Sequence, residues 1–387
     1  MLITILLLGF LLFYISRIRK PIIHSSNQRM QQLAFSLIFP MIIFNSGVLQ
    51  SLIQHLPTCY ILCSAKKSVI TLKISPGVEV VVEKFENVFF DEPISFMFRW
   101  LKVLYNVFLR ITGCFYFRTN VSKAKALVKA IQKEINVIIM HGLGGSSESN
   151  HVVSMANMFL RKRCRVFCIN ARGVKGKLET TEFTHFGLTK DLHVLSQYVI
   201  ENYEGSLFYI GFSQGANITT KFMGEYSNSR VMGAVSVCNP FDFLAIERKM
   251  KERYGFIRSL AYNFMLTVFK DHLKAVLKRE FEGDDIREIV EEMINEKILN
   301  YKDIDAFLED VSSEKYIEKI DKPILFINAD DDPVIPVDVI PREKILKNTN
   351  AVLVTMQGGH LGFKSIFMTS TVENIVRDYF MQIQLTN

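Results

Sequence analysis

Cysteine is scarce, with six residues in a chain of 387. That number in a chain this long builds no disulfide framework. Cys59 and Cys63 are separated by three residues, as C-x-x-x-C, but no second Cys or His pair lies nearby to complete a zinc site. Cys164 and Cys168 lie beside or within an apolar strand pattern, which reads as small buried thiols in a reducing compartment. Also missing is any long basic run with interleaved aromatics. The formal net charge is +7, but the positive residues come in small groups, such as Arg17, Arg19 and Lys20, or Arg161, Lys162 and Arg163. This pattern argues against nucleic acid and fits attraction to anionic lipid head groups better. The chain has no G-x-G-x-x-G, and no Lys-Ser/Thr follows its glycine-rich segment His141-Gly142-Leu143-Gly144-Gly145, so a phosphate loop is excluded and no cofactor is implied. It has no internal repeat and no low-complexity tract.

Apolar residues are abundant. They make up 49% of the chain, with 31 Phe, too apolar a balance for disorder and one that suggests a lipid-facing surface. Met1 to Ser16 is an uninterrupted apolar run followed at once by Arg17, Arg19 and Lys20. As a helix it reaches roughly 24 Å, slightly short of a hydrocarbon core, and snorkelling basic residues can cover the deficit. A cleaved signal peptide wants positive charge before the run and small residues at a cleavage site, and neither is present. The expectation is an uncleaved single-pass anchor in residues 1–20, with the bulk of the protein on the cytoplasmic side. Pro40, Asn45, Ser46 and Gly47 interrupt a second apolar stretch, Ala34 to Ile53, which is not read as a span. Ile94 to Phe117 places Ser95, Arg99, Lys102, Asn106 and Arg110 on one face of a helix. This is either a core helix with one exposed stripe or a helix lying in the membrane interface.

Val69 to Ile74 and Val78 to Val82 predict two strands joined by the turn Ser75-Pro76-Gly77. With the helix they form an N-terminal region, 21–133. From Glu134 short apolar strands alternate with helices. Strands are expected at Val137–Met140, Val166–Ile169, Leu207–Ile210, Ala234–Val237, Ile324–Ile327 and Val352–Thr355. Helices are expected around Ser149–Arg161, Leu188–Glu201, Gln214–Tyr226 and Ser365–Met381. The alternation predicts an α/β fold, a mostly parallel central sheet with helices on both faces, over 134–387. Leu244 to Lys319 breaks the rhythm with a long, charged, helix-rich insertion, as expected of a cap over a site.

The chemistry centres on Gly211-Phe212-Ser213-Gln214-Gly215, which follows an apolar strand and opens a helix, the context of a nucleophile elbow. A hydroxyl needs a base to take its proton and a carboxylate to orient that base. In such sites the chain order is Ser, acid, His, each on a loop after a strand. Asp330-Asp331-Asp332-Pro333 and Gly358-Gly359-His360 both stand in that position. Of the two histidines after Ser213, His272 falls in the presumed cap, leaving His360 as the base. Asp332 precedes Pro333 and lies four residues before Pro336, which makes it the first choice of acid, with Asp331 as the alternative and the remaining aspartates bracing the loop. An oxyanion needs two backbone N–H groups. Gln214, after the nucleophile, supplies one, and Leu143 in the early glycine-rich loop is the choice for the other. His141 then braces that loop.

These residues resemble the YheT-like α/β-hydrolases, which include membrane-anchored lipases and fungal medium-chain ethyl-ester synthases. His141–Gly145 is similar to the family's HGLTG loop, with Gly144 in place of Thr. Asn170-Ala171-Arg172-Gly173 is similar to its N-x-R-G, and Asp191-Leu192 to its E-D-L, with Lys190 in place of Glu. Gly211 to Asn217 resembles G-F-S-L-G-G-N, Asn239-Pro240-Phe241-Asp242 matches N-P-F-D, Ala329 to Pro333 matches A-x-D-D-P, and Gly358 to Phe363 matches G-G-H-L-G-F. Upstream, Ser46 to Ser51 resembles S-G-H-L-Q-T. The likeness covers about 34–85 and 134–370, and Glu86 to Lys133 departs from it as an insertion. The resemblance implies an α/β-hydrolase fold with a helical cap and a serine hydrolase acting on carboxylic, lipid or medium-chain acyl esters. Acyl transfer to an alcohol, or a non-catalytic membrane scaffold, are the alternatives. Oligomeric state is not legible.

Overall fold

The computed structural model describes residues 22–26, 65–87, 134–252, 256–363 and 370–386. The apolar run Met1–Ser16, the stretch 34–53, Cys59, Cys63 and the expected helix at 94–117 lie outside the described residues. Among the described residues, no helix is long and apolar enough to cross a membrane.

Among the described residues, nine strands form one sheet: β1 (Ile22–His24), β2 (Ala65–Ser75), β3 (Val78–Asn87), β4 (Ile135–Met140), β5 (Arg165–Ile169), β6 (Ser206–Phe212), β7 (Val231–Val237), β8 (Ile324–Ala329) and β9 (Ala351–Met356). Their spatial order is β1-β9-β8-β7-β6-β4-β5-β3-β2. The six strands from β4 to β9 run parallel, while β1 and the β2–β3 hairpin pair antiparallel at opposite edges. All the expected strands are present, each a residue or more longer than its apolar core. β1 was not anticipated, because three residues carry no periodicity to read.

The parallel strands read as continuous apolar runs because both faces are covered. Every residue of β4, β7, β8 and β9 is buried. Alternate side chains go to opposite layers. Val137 and Ile139 join one cluster with Phe208 and Ile210, covered by Phe159 and Met155 of α1 (Asn150–Leu160) and Tyr379 and Phe380 of the C-terminal helix (Thr371–Thr386). Ile138 and Met140 join the other with Leu207 and Tyr209. That layer is covered by Leu192 and Leu195 of α2 (Lys190–Asn202) and Ile218 and Phe222 of α3 (Gln214–Glu225). The β2 edge is blunted by Lys66, Lys67 and Lys73, a common defence of an open edge.

Between β7 and β8 lie α4 (Phe243–Glu252), α5 (Phe256–Leu277), α6 (Ile286–Asn295) and α7 (Ile304–Val311). Asp285 and Asp303 cap α6 and α7 by accepting the N–H of Glu288 and Ala306. The four helices carry a third apolar cluster, including Phe269, Leu273, Met293 and Phe307. Among the described residues, the insertion expected at 244–319 is therefore helical and strandless. Its closing turn, Glu314–Lys319, sits with the sheet instead, because Ile317 packs into the layer of Phe222 and Ile320.

Candidate active site

The elbow is built by exclusion. Ser213 has φ 53° and ψ −115°, a region that L residues rarely occupy. A side chain on Gly211 would overlap the Gly215 carbonyl, and one on Gly215 would lie 2.5 Å from the His141 carbonyl oxygen. Both positions must be glycine for α3 to start immediately after β6. The turn lifts the Ser213 hydroxyl to the carboxyl ends of the strands.

Two later loops converge on it. His360 Nε2 is 2.9 Å from Ser213 Oγ, and His360 Nδ1 is 2.8 Å from Asp332 Oδ2. The other oxygen of Asp332 accepts the N–H groups of Val334 and Ile335. Asp331 turns the other way, and its Oδ1 accepts the N–H groups of Gly358 and Gly359, tying the acid loop to the histidine loop. The two aspartates thus have separate jobs: Asp332 faces the imidazole and Asp331 fixes the backbone that carries it. Such a chain can move a proton from the serine hydroxyl to an oriented imidazole.

Gly142 lies beside the serine, close enough that an added Cβ would be 3.1 Å from the Ser213 Cβ. Among the described residues, the backbone N–H groups of Leu143 and Gln214 have no backbone acceptor. Both residues line the same small cavity under the cap. His141 is fully enclosed: its Nδ1 is 2.7 Å from the Gly142 carbonyl, and its Nε2 accepts the Ala171 N–H at 3.0 Å. Burial lowers its pKa to about 4, so it stays neutral at pH 7 and braces the loop. Gly144 has φ +67°, and a side chain there would meet Val268 of α5 at 2.8 Å. Its glycine allows the close approach of the cap.

Several quoted motifs serve the scaffold. Arg172 makes a forked pair with Asp191 at 2.6–3.0 Å, both buried. Asn217 donates to the carbonyls of Phe186 and Val311 and accepts from Ser313, pinning the cap's end to α3. Asn239 holds Phe241 and Thr220. Cys164 and Cys168 are buried thiols whose pKa burial raises, that of Cys164 to about 12. Cys238 is buried as well and accepts the Leu361 N–H. Its sulfur and donor atoms of Asp332 and His360 lie within 4.8 Å of one another. An ion there would compete for the atoms of the serine–histidine–aspartate chain. The residue that sequence reasoning set aside is His272, which lines the cavity beside Leu143 and Gln214. Its only sequence signal was being one of two histidines after the nucleophile.

A family model described as "alpha/beta hydrolase fold" matches residues 135–365. Abhydrolase domain-containing protein 2 of Drosophila melanogaster is 27% identical over 261 residues, 60% of this chain and 64% of that protein. A monoacylglycerol lipase of Saccharomyces cerevisiae is 28% identical over 250 residues, 59% of this chain and 54% of that protein. The match thus spans between half and two thirds of these relatives. An esterase of Pyrococcus furiosus shares the fold, with a TM-score of 0.51, 14% identity, and coverage of 91% of this chain and 99% of its own.

Proposed function

The chain belongs to the α/β-hydrolase family, and from that premise we propose that it is a serine hydrolase of carboxylic esters working through an acyl-enzyme on Ser213. The observation that carries this reading is the unbroken chain from Ser213 Oγ through His360 to Asp332, at 2.9 and 2.8 Å, on a strained elbow. His360 Nε2 takes the serine proton as Oγ attacks the ester carbonyl. The resulting oxyanion is held by the N–H groups of Leu143 and Gln214. Collapse expels the alcohol, which takes its proton from His360, and water then releases the acid by the same steps in reverse roles.

For substrate we propose lipid esters. The motifs shared with YheT-like lipases, the apolar cavity under the cap and a relative named monoacylglycerol lipase support this class. Residues 134–387 are then the catalytic domain. We read Met1–Ser16, with the basic residues after it, as an anchor that holds the enzyme at its substrate, and loss of membrane attachment on removing residues 1–20 tests that. A fluorophosphonate probe tests the chemistry. The purified protein should be labelled, and labelling should vanish in Ser213→Ala and nearly vanish in His360→Ala. Undiminished labelling in Ser213→Ala would remove the assignment.

A further inference from the structure

His272 has no place in the triad or in the oxyanion loop. It lies on α5, one turn after Val268, the residue packed on Gly144, so both belong to the same face of the helix. The side chain is more than nine-tenths buried. Its Nε2 is sealed from solvent and has no hydrogen-bond partner among the described residues. A buried polar nitrogen left without a partner costs stability. This one borders a cavity otherwise walled largely by Leu143, Phe186, Phe269, Val290 and Met293. The cavity also contains Gln214, so it adjoins the place where an ester carbonyl would rest. Burial lowers the His272 pKa to about 4, with the nearby His141 adding to the effect, so the ring is neutral at pH 7. A neutral imidazole offers one donor and one acceptor, which suits a hydroxyl and not an ion.

The chemistry of the substrate decides what could meet that nitrogen. A lipid acyl chain is hydrocarbon and offers it nothing. Beyond the ester group itself, the hydrogen-bonding oxygens are those of the alcohol. Resting on the ester-hydrolase reading above, we propose that His272 is a specificity-determining residue: it hydrogen-bonds a free hydroxyl of the alcohol portion, selecting partial esters of polyols, such as monoacylglycerols, over esters of simple alkanols. The discrimination comes from the empty site. A substrate without the hydroxyl leaves the nitrogen as unsatisfied as it is in the free protein, whereas a polyol ester satisfies it.

The test compares kcat/KM for 1-octanoylglycerol and propyl octanoate, which share an acyl group, in full-length wild type, His272→Leu and His272→Gln. The ratio of the two should fall about tenfold in His272→Leu, the value of one ordinary hydrogen bond, and recover at least partly in His272→Gln, which keeps a donor and an acceptor. Melting temperature supplies a second readout. His272→Leu should melt no lower than wild type, because it removes an unsatisfied polar group. An unchanged ratio, or an equal loss on both esters accompanied by a lower melting temperature, would make His272 structural and overturn the proposal. Absence of hydrolysis of either ester by wild type also overturns it. Fluorophosphonate labelling of Ser213 then tells which reading failed: labelled protein keeps the serine assignment and discards the substrate, and unlabelled protein discards both.

Discussion

The loops at the carboxyl edge of the sheet and the cap above them are held by different forces. Each loop of the candidate site is fixed by its own backbone: Ser213 by the exclusion of side chains at Gly211 and Gly215, His360 by two N–H bonds to Asp331, and Asp332 by two more at Val334 and Ile335. The cap is held by side chains. Arg287 reaches Glu247 of α4 at 2.9 Å and Asp305 of α7 at 2.7 Å, and Arg279 pairs with Glu292 of α6 and with Glu296 just past its end. Half-exposed ion pairs of this kind contribute roughly 0–1 kcal/mol each, so the cap relies on its apolar cluster. Backbone constraint gives a geometry that tolerates almost no substitution. Side-chain packing gives a cover that can vary its lining without disturbing the chemistry beneath. On the proposed function, specificity would then belong to the cap and reactivity to the sheet.

The sharpest way to break that division is within one loop. Asp332→Asn keeps shape and removes the charge that orients and stabilises the imidazolium, so kcat should fall on the order of 10⁴-fold. Asp331→Asn touches only backbone. It retains one acceptor for the N–H groups of Gly358 and Gly359 and should cost far less, about tenfold, mostly through stability. Steady-state kinetics on a soluble ester, alongside melting curves, distinguishes the two. A severe kinetic loss in Asp331→Asn with mild behaviour in Asp332→Asn would exchange their roles.

The same division explains what could be read from sequence. Ser213, His360 and the Asp330–Asp332 loop were legible because each lies where a short apolar strand ends in glycines or a polar turn, and such punctuation is local. The six central strands were legible for the same reason, as runs of Val, Ile, Leu and Phe too apolar for a sheet with a wet face. What stayed hidden depends on distant partners. That β3 pairs with β5 across about 80 residues, carrying the β2–β3 hairpin into the main sheet, follows from strand edges and not from composition. That His272 sits over Leu143 and Gln214 depends on how α5 crosses the oxyanion loop, which the bare backbone at Gly144 permits. Periodicity places a residue on a helix, but only tertiary packing says what it faces.

A smaller effect sharpens the comparison by asking which region loosens first in acid. Three enclosed histidines, His141, His185 and His272, each have a pKa lowered to about 4, chiefly by burial. Unfolded, each would titrate near 6.5. Between those values the open chain binds protons that the closed one does not, so the stability contributed by each neutral ring is intact above pH 6.5 and drains away as pH falls towards 4. At pH 5 the penalty is on the order of 2 kcal/mol for each histidine that stays buried. Two of the three belong to the cap or its seam. His272 is on α5, and His185 packs its ring against Tyr301 and Phe307 at 6.5 and 5.9 Å between centroids. Lifting the cap hydrates both without disturbing the parallel strands, whereas freeing His141 requires the oxyanion loop to come away from Ala171. Acid should therefore act first as local opening of the cap. Hydrogen exchange followed from pH 7 to pH 5, corrected for intrinsic rates, should show amides of α5, α6 and α7 losing protection about tenfold or more before those of β4, β6 and β7 change. His185→Leu should shrink the difference by taking one titrating ring out of the seam. Simultaneous loss of protection in cap and sheet would mean that the two regions unfold as one unit, and that the cap's packing binds it to the sheet as firmly as the catalytic loops are bound.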